Sequence, residues 1–179
     1  MKIGISIRNN SNLTEKEGIY NSGIKQNIIF IYELLKKQGY DVYFISTNIV
    51  LNSKYKYVSI YDKNELFKLN FYIEIGLILY DELILEMKKQ NIYCILFFLG
   101  NDFIYQTKNI LHSKINLNPI KNTILFDEIW VSPHFEYSID YYKYICNNDN
   151  VKVAPYIWEP TFLDEYTGTF DKNNISVGI

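Results

Sequence analysis

The chain has 179 residues, 48% of them apolar and 21% charged, with a formal net charge of −2. That length accommodates one α/β domain, or one domain plus a fragment of another, and can bury a core large enough to need no disulfide or metal staple. Near-neutrality argues against nucleic acid or an anionic membrane as partner, the apolar content argues against disorder, and the longest apolar run, Ile92 to Leu99, falls far short of the ~20 residues that span a bilayer.

The opening apolar stretch stops at Arg8, too soon for a signal peptide. The two cysteines, Cys94 and Cys146, lie far apart, and Cys94 sits inside an apolar run. Two buried free thiols fit this better than a disulfide, and point to a reducing, cytoplasmic setting (the host's cytoplasm for a viral protein). The chain carries 17 Tyr and 11 Phe, and Arg8 is the only arginine among 18 basic residues. With abundant Ile and Asn, these are residues of A/T-rich codons. We read the bias as genome composition rather than as an aromatic stacking platform.

Lys2 to Arg8 reads as a buried parallel strand entering a polar loop that extends to about Ser22. Apolar residues at 24, 28, 31, 34 and 35 then follow helical spacing over Gly23 to Gln38, with Ser22 as N-cap and Gly39 as the stop. Asp41 to Ile45 is a second strand, which completes a right-handed β-loop-α-β unit. Tyr57 to Ile60 is a short strand and Asn64 to Leu69 a short helix. Phe71 to Leu79 contains a strand with an unexpected charge, Glu74, which is either a site carboxylate or a residue on a solvated edge. Asp81 to Lys89 is helical with Asp81 as N-cap, and Ile92 to Leu99 is a strand ended by Gly100. Ile110 to Ile115 reads as a helical piece and Phe126 to Val131 as a strand. Phe135 to Cys146 reads as a helix with an aromatic face, and Val151 to Ala154 as a short strand. The alternation predicts an α/β fold: a Rossmann-like, doubly wound, mostly parallel sheet with helices on both faces. A last apolar segment, Asn174 to Ile179, is either an edge strand or the opening of a second Rossmann-like domain.

Open α/β sheets bind ligands at the carboxyl ends of their strands, so the residues after each strand are the candidates. Asn9 follows the first strand, and Ser22 and Gly23 start the next helix, where free N–H groups could receive a phosphate or a sugar hydroxyl; the plain alternative is a helix cap. Gly100, Asn101 and Asp102 could admit and hold a polyol, or form a solvated turn. His134 ends a strand with Glu136 close behind; it is either a general acid–base or hydroxyl-binding group, or an exposed helix residue. Trp158, between Pro155 and Pro160, lines a pocket or anchors an irregular segment. No dinucleotide fingerprint, Walker loop, metal-ligand spacing or nucleophile elbow is present.

The ordered blocks Lys2–Ile5, Ser22–Asn27, Ile73–Gly76, Leu99–Phe103, Phe126–His134 and Val153–Phe162 resemble a poorly characterised family of GT-B-type glycosyltransferases with bacterial and large-DNA-virus members. The resemblance covers nearly the whole chain. It implies that residues 1–165 form the N-terminal, acceptor-side Rossmann-like domain. Residues 166–179 would then be a linker and the first strand of a missing or truncated second domain. Such enzymes bind the nucleotide-sugar donor mainly in the C-terminal half. The resemblance therefore implies no cofactor in this chain, a sugar or glycan acceptor, and a partner that is either a donor-binding half or a second copy. It places Asp102 where retaining members of the wider group carry a cleft-facing residue that is often His, and the Ser22-Gly23 turn near the donor phosphates. Asp102 and His134 become the catalytic candidates, and Asn9, Ser22, Gly23, Asn27, Gly100, Asn101, Glu136 and Trp158 the binding candidates. Two other readings remain: a non-catalytic carbohydrate-binding or scaffolding domain, and a stand-alone flavodoxin-like or receiver-like domain. Arg8-Asn9-Asn10 in place of clustered acids argues against a receiver.

Overall fold

The strands are short and nearly all apolar, as expected where a sheet is covered on both faces. A computed structural model describes residues 1–7, 23–47, 53–75, 79–99 and 123–155. In chain order these form β1 (Lys2–Ser6), α1 (Gly23–Lys37), β2 (Asp41–Ser46), β3 (Tyr57–Ser59), α2 (Lys63–Leu66), β4 (Phe71–Ile75), α3 (Asp81–Lys89), β5 (Tyr93–Phe98), β6 (Glu128–Val131), α4 (Ile139–Cys146) and β7 (Val151–Val153). Short 3-10 turns cover Thr123–Leu125 and Pro133–Ser138. The seven strands form one sheet in the order β3-β2-β1-β4-β5-β6-β7, and every pairing is parallel.

The order grows outward from β1 in one direction and then in the other. Right-handed crossovers must therefore change faces when the chain reverses. α1 packs through Ile28, Ile29, Ile31 and Tyr32 on Ile3, Ile5, Val42, Phe44, Ile73 and Ile75. α2, α3 and α4 pack on the opposite face through Leu66, Leu83, Met87, Tyr142 and Ile145, against Ile45, Tyr72, Leu96, Phe98, Ile129 and Val131. Helices thus cover both faces of a Rossmann-like, doubly wound sheet. Each fully buried Ile, Leu or Phe contributes about 1.5–3 kcal/mol. Some of the tyrosines are core residues: Tyr32, Tyr55 and the half-buried Tyr57 gather around Phe44 with ring centroids 4.6–5.5 Å away. Gly4 shows how closely β1 is covered, since a Cβ there would stand 2.7 Å from Leu69 Cδ1 and 2.8 Å from Ile45 Cγ1.

Several expected boundaries move. β1 ends at Ser6 and not at Arg8, and β5 runs from Tyr93 to Phe98, with Ile92 and Leu99 as buried flanks. β6 begins at Glu128, because Phe126 N–H turns back to Thr123 O and Asp127 bonds to Cys94. The short helix is Lys63–Leu66, with Asp62 accepting from Glu65 N–H as its cap. Asp81 is not the N-cap of α3. Tyr80 occupies that position in extended conformation, and Asp81 lies in the first turn, where the helix dipole favours a carboxylate. The segment expected as one helix from Phe135 splits into the 3-10 turn and α4, with Pro133 at the turn's start.

The three long helices end alike. Gly39, Asn91 and Asn147 have positive φ (84°, 58° and 46°). Each sits in a Schellman pair of reversed bonds: Gly39 N to Lys36 O with Tyr40 N to Leu35 O, Asn91 N to Lys88 O with Ile92 N to Met87 O, and Asn147 N to Tyr144 O with Asn148 N to Lys143 O. Gly39 was expected as a stop; the two asparagines were not. Cys94 and Cys146 are buried and free. The helical piece at 110–115, the strand at 174–179 and the division at 165/166 lie outside the described residues.

Candidate ligand crevice at the carboxyl edge

In a parallel sheet all strands end on the same edge. Where the order reverses, two neighbouring strands send their chains to opposite faces, and a crevice opens between them. Here those strands are β1 and β4. Ile5 is level with Ile73, so Ser6, the last residue of β1, lies level with Glu74, one residue before the end of β4.

The polar groups at this point form one network. Ile75 N–H donates to Ser6 Oγ at 2.7 Å. The Tyr72 hydroxyl donates to Glu74 Oε2 at 2.8 Å and is also hydrogen-bonded with the Ser6 side chain. Leu79 N–H is shared between the two Glu74 oxygens at 3.3 and 3.2 Å. Glu74, Tyr72 and Ser6 are all 0% exposed. Burial, and then the neighbouring Glu74 charge, push the Tyr72 phenol well above its ordinary range, so it serves as a donor and not as an acid. Glu74 therefore lies on no solvated edge. It is an interior carboxylate near the carboxyl end of a central strand, on the same face as Tyr72, toward the α2–α4 side.

Further along the edge, Ser132 follows β6 and is buried, its hydroxyl directed at Phe98 O at 3.4 Å. His134 and Glu136 are exposed on the Pro133–Ser138 turn, with the His134 ring 4.6 Å from that of Phe135. β6 lies two strands from β4, which puts these groups roughly 10 Å along the edge at normal strand spacing. Gly23 opens α1, and Asn27 lies half-buried one turn on. Asn9, Ser22, Gly100, Asn101, Asp102 and Trp158 fall outside the described residues. Ser6 and Tyr72 were missed by the sequence reading. The available signal was the Tyr72-x-Glu74 spacing, which on a strand puts a hydroxyl beside a carboxylate.

The amino half of the sheet carries a different kind of cluster. Glu128 accepts from Lys152 Nζ at 2.9 Å, from Tyr93 Oη at 3.1 Å and from Trp130 Nε1. With three donors on one carboxylate, this cluster ties β5, β6 and β7 together. Among the described residues no group of three or more His, Cys, Asp or Glu could hold a metal ion. No described helix is long and apolar enough to cross a membrane.

Fold and strand order together define a Rossmann-like α/β protein whose topological switch point lies between β1 and β4. The chain belongs to a family of proteins of unknown function, DUF2827, whose model matches residues 3–178. No curated protein matches the chain.

Proposed function

We propose that this chain is the N-terminal, acceptor-side domain of a GT-B-type glycosyltransferase. The observation that carries the reading is where the described blocks of the resemblance fall. Lys2–Ile5 is β1, Ile73–Ile75 is the end of β4, and Val131–His134 leaves β6 at the carboxyl edge. Two of these blocks, the end of β4 and the exit from β6, thus reach the edge where an open α/β sheet takes its ligand, and the first block forms the strand that runs beside β4 toward it. In this reading a sugar or glycan acceptor lies along that edge and His134 meets its hydroxyls. Asp102 orients a hydroxyl near the transferred sugar, and the turn at Ser22 and Gly23 approaches phosphate. The nucleotide-sugar donor is held chiefly by a C-terminal domain, so sugar transfer needs that second half.

The test is a glycan array combined with saturation-transfer NMR against UDP-, GDP- and CMP-sugars. Glycan binding without nucleotide-sugar binding, and transfer only when a donor-binding half is supplied, is the expected result. Robust donor turnover by this chain alone overturns the half-enzyme reading. Glycan binding that no donor-binding half converts into transfer supports instead a carbohydrate-binding domain without catalysis.

A further inference from the structure

We propose that Glu74 is a positioning residue at the β1/β4 switch point, fixing where the chain re-enters the fold at Leu79 after β4. The inference rests on the β1/β4 edge being the ligand edge, but not on the ligand being a sugar. Burying a carboxylate completely is costly unless hydrogen bonds replace its water. Position 74 is flanked by Ile73 and Ile75 in a strand whose other inward residues are apolar or aromatic. An aliphatic residue would satisfy the core there. It would not satisfy Leu79 N–H, which lies five residues on, past the connection at 76–78 and just before α3. Glu74 therefore spans the strand-to-helix connection at the carboxyl edge and fixes where it re-enters the fold.

The other end of the carboxylate is fixed as well. Tyr72 holds Oε2, Ser6 on β1 holds Tyr72, and Ile75 N–H holds Ser6. The two strands that border the crevice are thus joined by one chain of bonds ending at Glu74. Such a chain is cooperative, because each hydroxyl that accepts a bond becomes a better donor. A change at Glu74 is then felt first at Leu79 and at the ends of β1 and β4, and last at the far strands.

Amide hydrogen exchange read by NMR on the full chain tests this, with Leu96 in β5 reporting global opening. In Glu74→Leu the Leu79 amide is expected to exchange at least 10-fold faster relative to Leu96, with shifted amide resonances for Ile7 and Ile75. Glu74→Gln keeps one acceptor and falls between Leu and wild type. If Glu74→Leu does not fold, Tyr72→Phe carries the test. It removes the hydroxyl bond to Oε2 that holds the carboxylate in place and should raise relative exchange at Leu79 several-fold. If Leu79 tracks Leu96 in every folded variant, Glu74 adds only global stability and the proposal is wrong. No sugar is present in any arm, so this outcome is independent of whether the crevice binds glycans.

Discussion

Asp127 and Cys94 hold each other by a reciprocal pair of hydrogen bonds: Asp127 N–H donates to Cys94 O at 2.8 Å, and Cys94 N–H donates to the Asp127 carboxylate at 2.8 Å. The pair closes the gap between β5 and β6 at the amino edge. Asn70 does the same between β1 and β4, donating to Lys2 O and accepting from Lys2 N–H at 2.8 Å. Lys88 adds an ion pair to Asp127 at 2.9 Å. Asp127→Ala should lower unfolding free energy by about 2–3 kcal/mol, because it strands the Cys94 amide. Urea denaturation followed by circular dichroism measures it. A loss below ~0.5 kcal/mol would show that water replaces the carboxylate at no cost.

Glu128 makes stability depend on pH. Burial alone would raise its carboxyl, but hydrogen bonds from Lys152, Trp130 and Tyr93 outweigh burial and hold it below its ordinary value of 4.5. A carboxyl that titrates lower when folded contributes stability above its unfolded value, and that stability disappears as pH falls through the folded value. Glu128→Gln should therefore cost stability at pH 7, and less at pH 3. Denaturation curves for both proteins at the two pH values test the difference. Parallel pH profiles would mean that Glu128 does not titrate differently on folding.

The two thiols should be inert in the folded protein. Burial, followed by the Asp127 charge, pushes Cys94 up to about 12; burial likewise pushes Cys146 up to about 12 despite its contact with Thr123. Thiolate is the reactive form. A disulfide-exchange reagent at pH 8 should label neither cysteine until denaturant is added, and both afterwards. Stoichiometric labelling of either in buffer would contradict the packing around it.

The helix stops rank in a predictable way. Gly39 has open space around the missing Cβ, so Gly39→Ala isolates the backbone cost of φ 84°. A loss of about 1 kcal/mol is expected. Asn147→Gly, at φ 46°, should be neutral or stabilising by up to ~1 kcal/mol. Thermal denaturation of the two variants should move Tm in opposite directions, or leave it unchanged for Asn147→Gly. A clear loss for Asn147→Gly would point to a side-chain role for that asparagine.

Much of the sheet is readable from the chain, because strands buried on both faces become apolar runs; the segment around β5 is the plainest. Gly39 is readable because glycine is scarce and falls where the helical period ends. Asn91 and Asn147 serve the same purpose, yet asparagine is so common here that it carries little local information. Asp81 misleads for a related reason: a carboxylate is favoured both at the cap and in the first turn, and spacing does not separate the two. Glu74 could not be placed from the chain at all. Whether its strand lies at the centre or at an edge depends on the reversal beside β1, a non-local fact. His134 and Glu136 follow β6, as their place in the chain implies, but the carboxyl-edge rule names strand ends and not partners, so Ser6 and Tyr72 escaped it.

The central claim is that the β1/β4 carboxyl edge is a sugar-binding lip. The most direct measurement is amide chemical-shift mapping of the chain with the glycans retained by an array. The account predicts perturbations that cluster at Ile7, Ile75, Leu99 and Ser132–Phe135, with β7 and the Asp127–Cys94 edge unmoved. Shifts concentrated at the amino edge, or no glycan that shifts any amide, would contradict it.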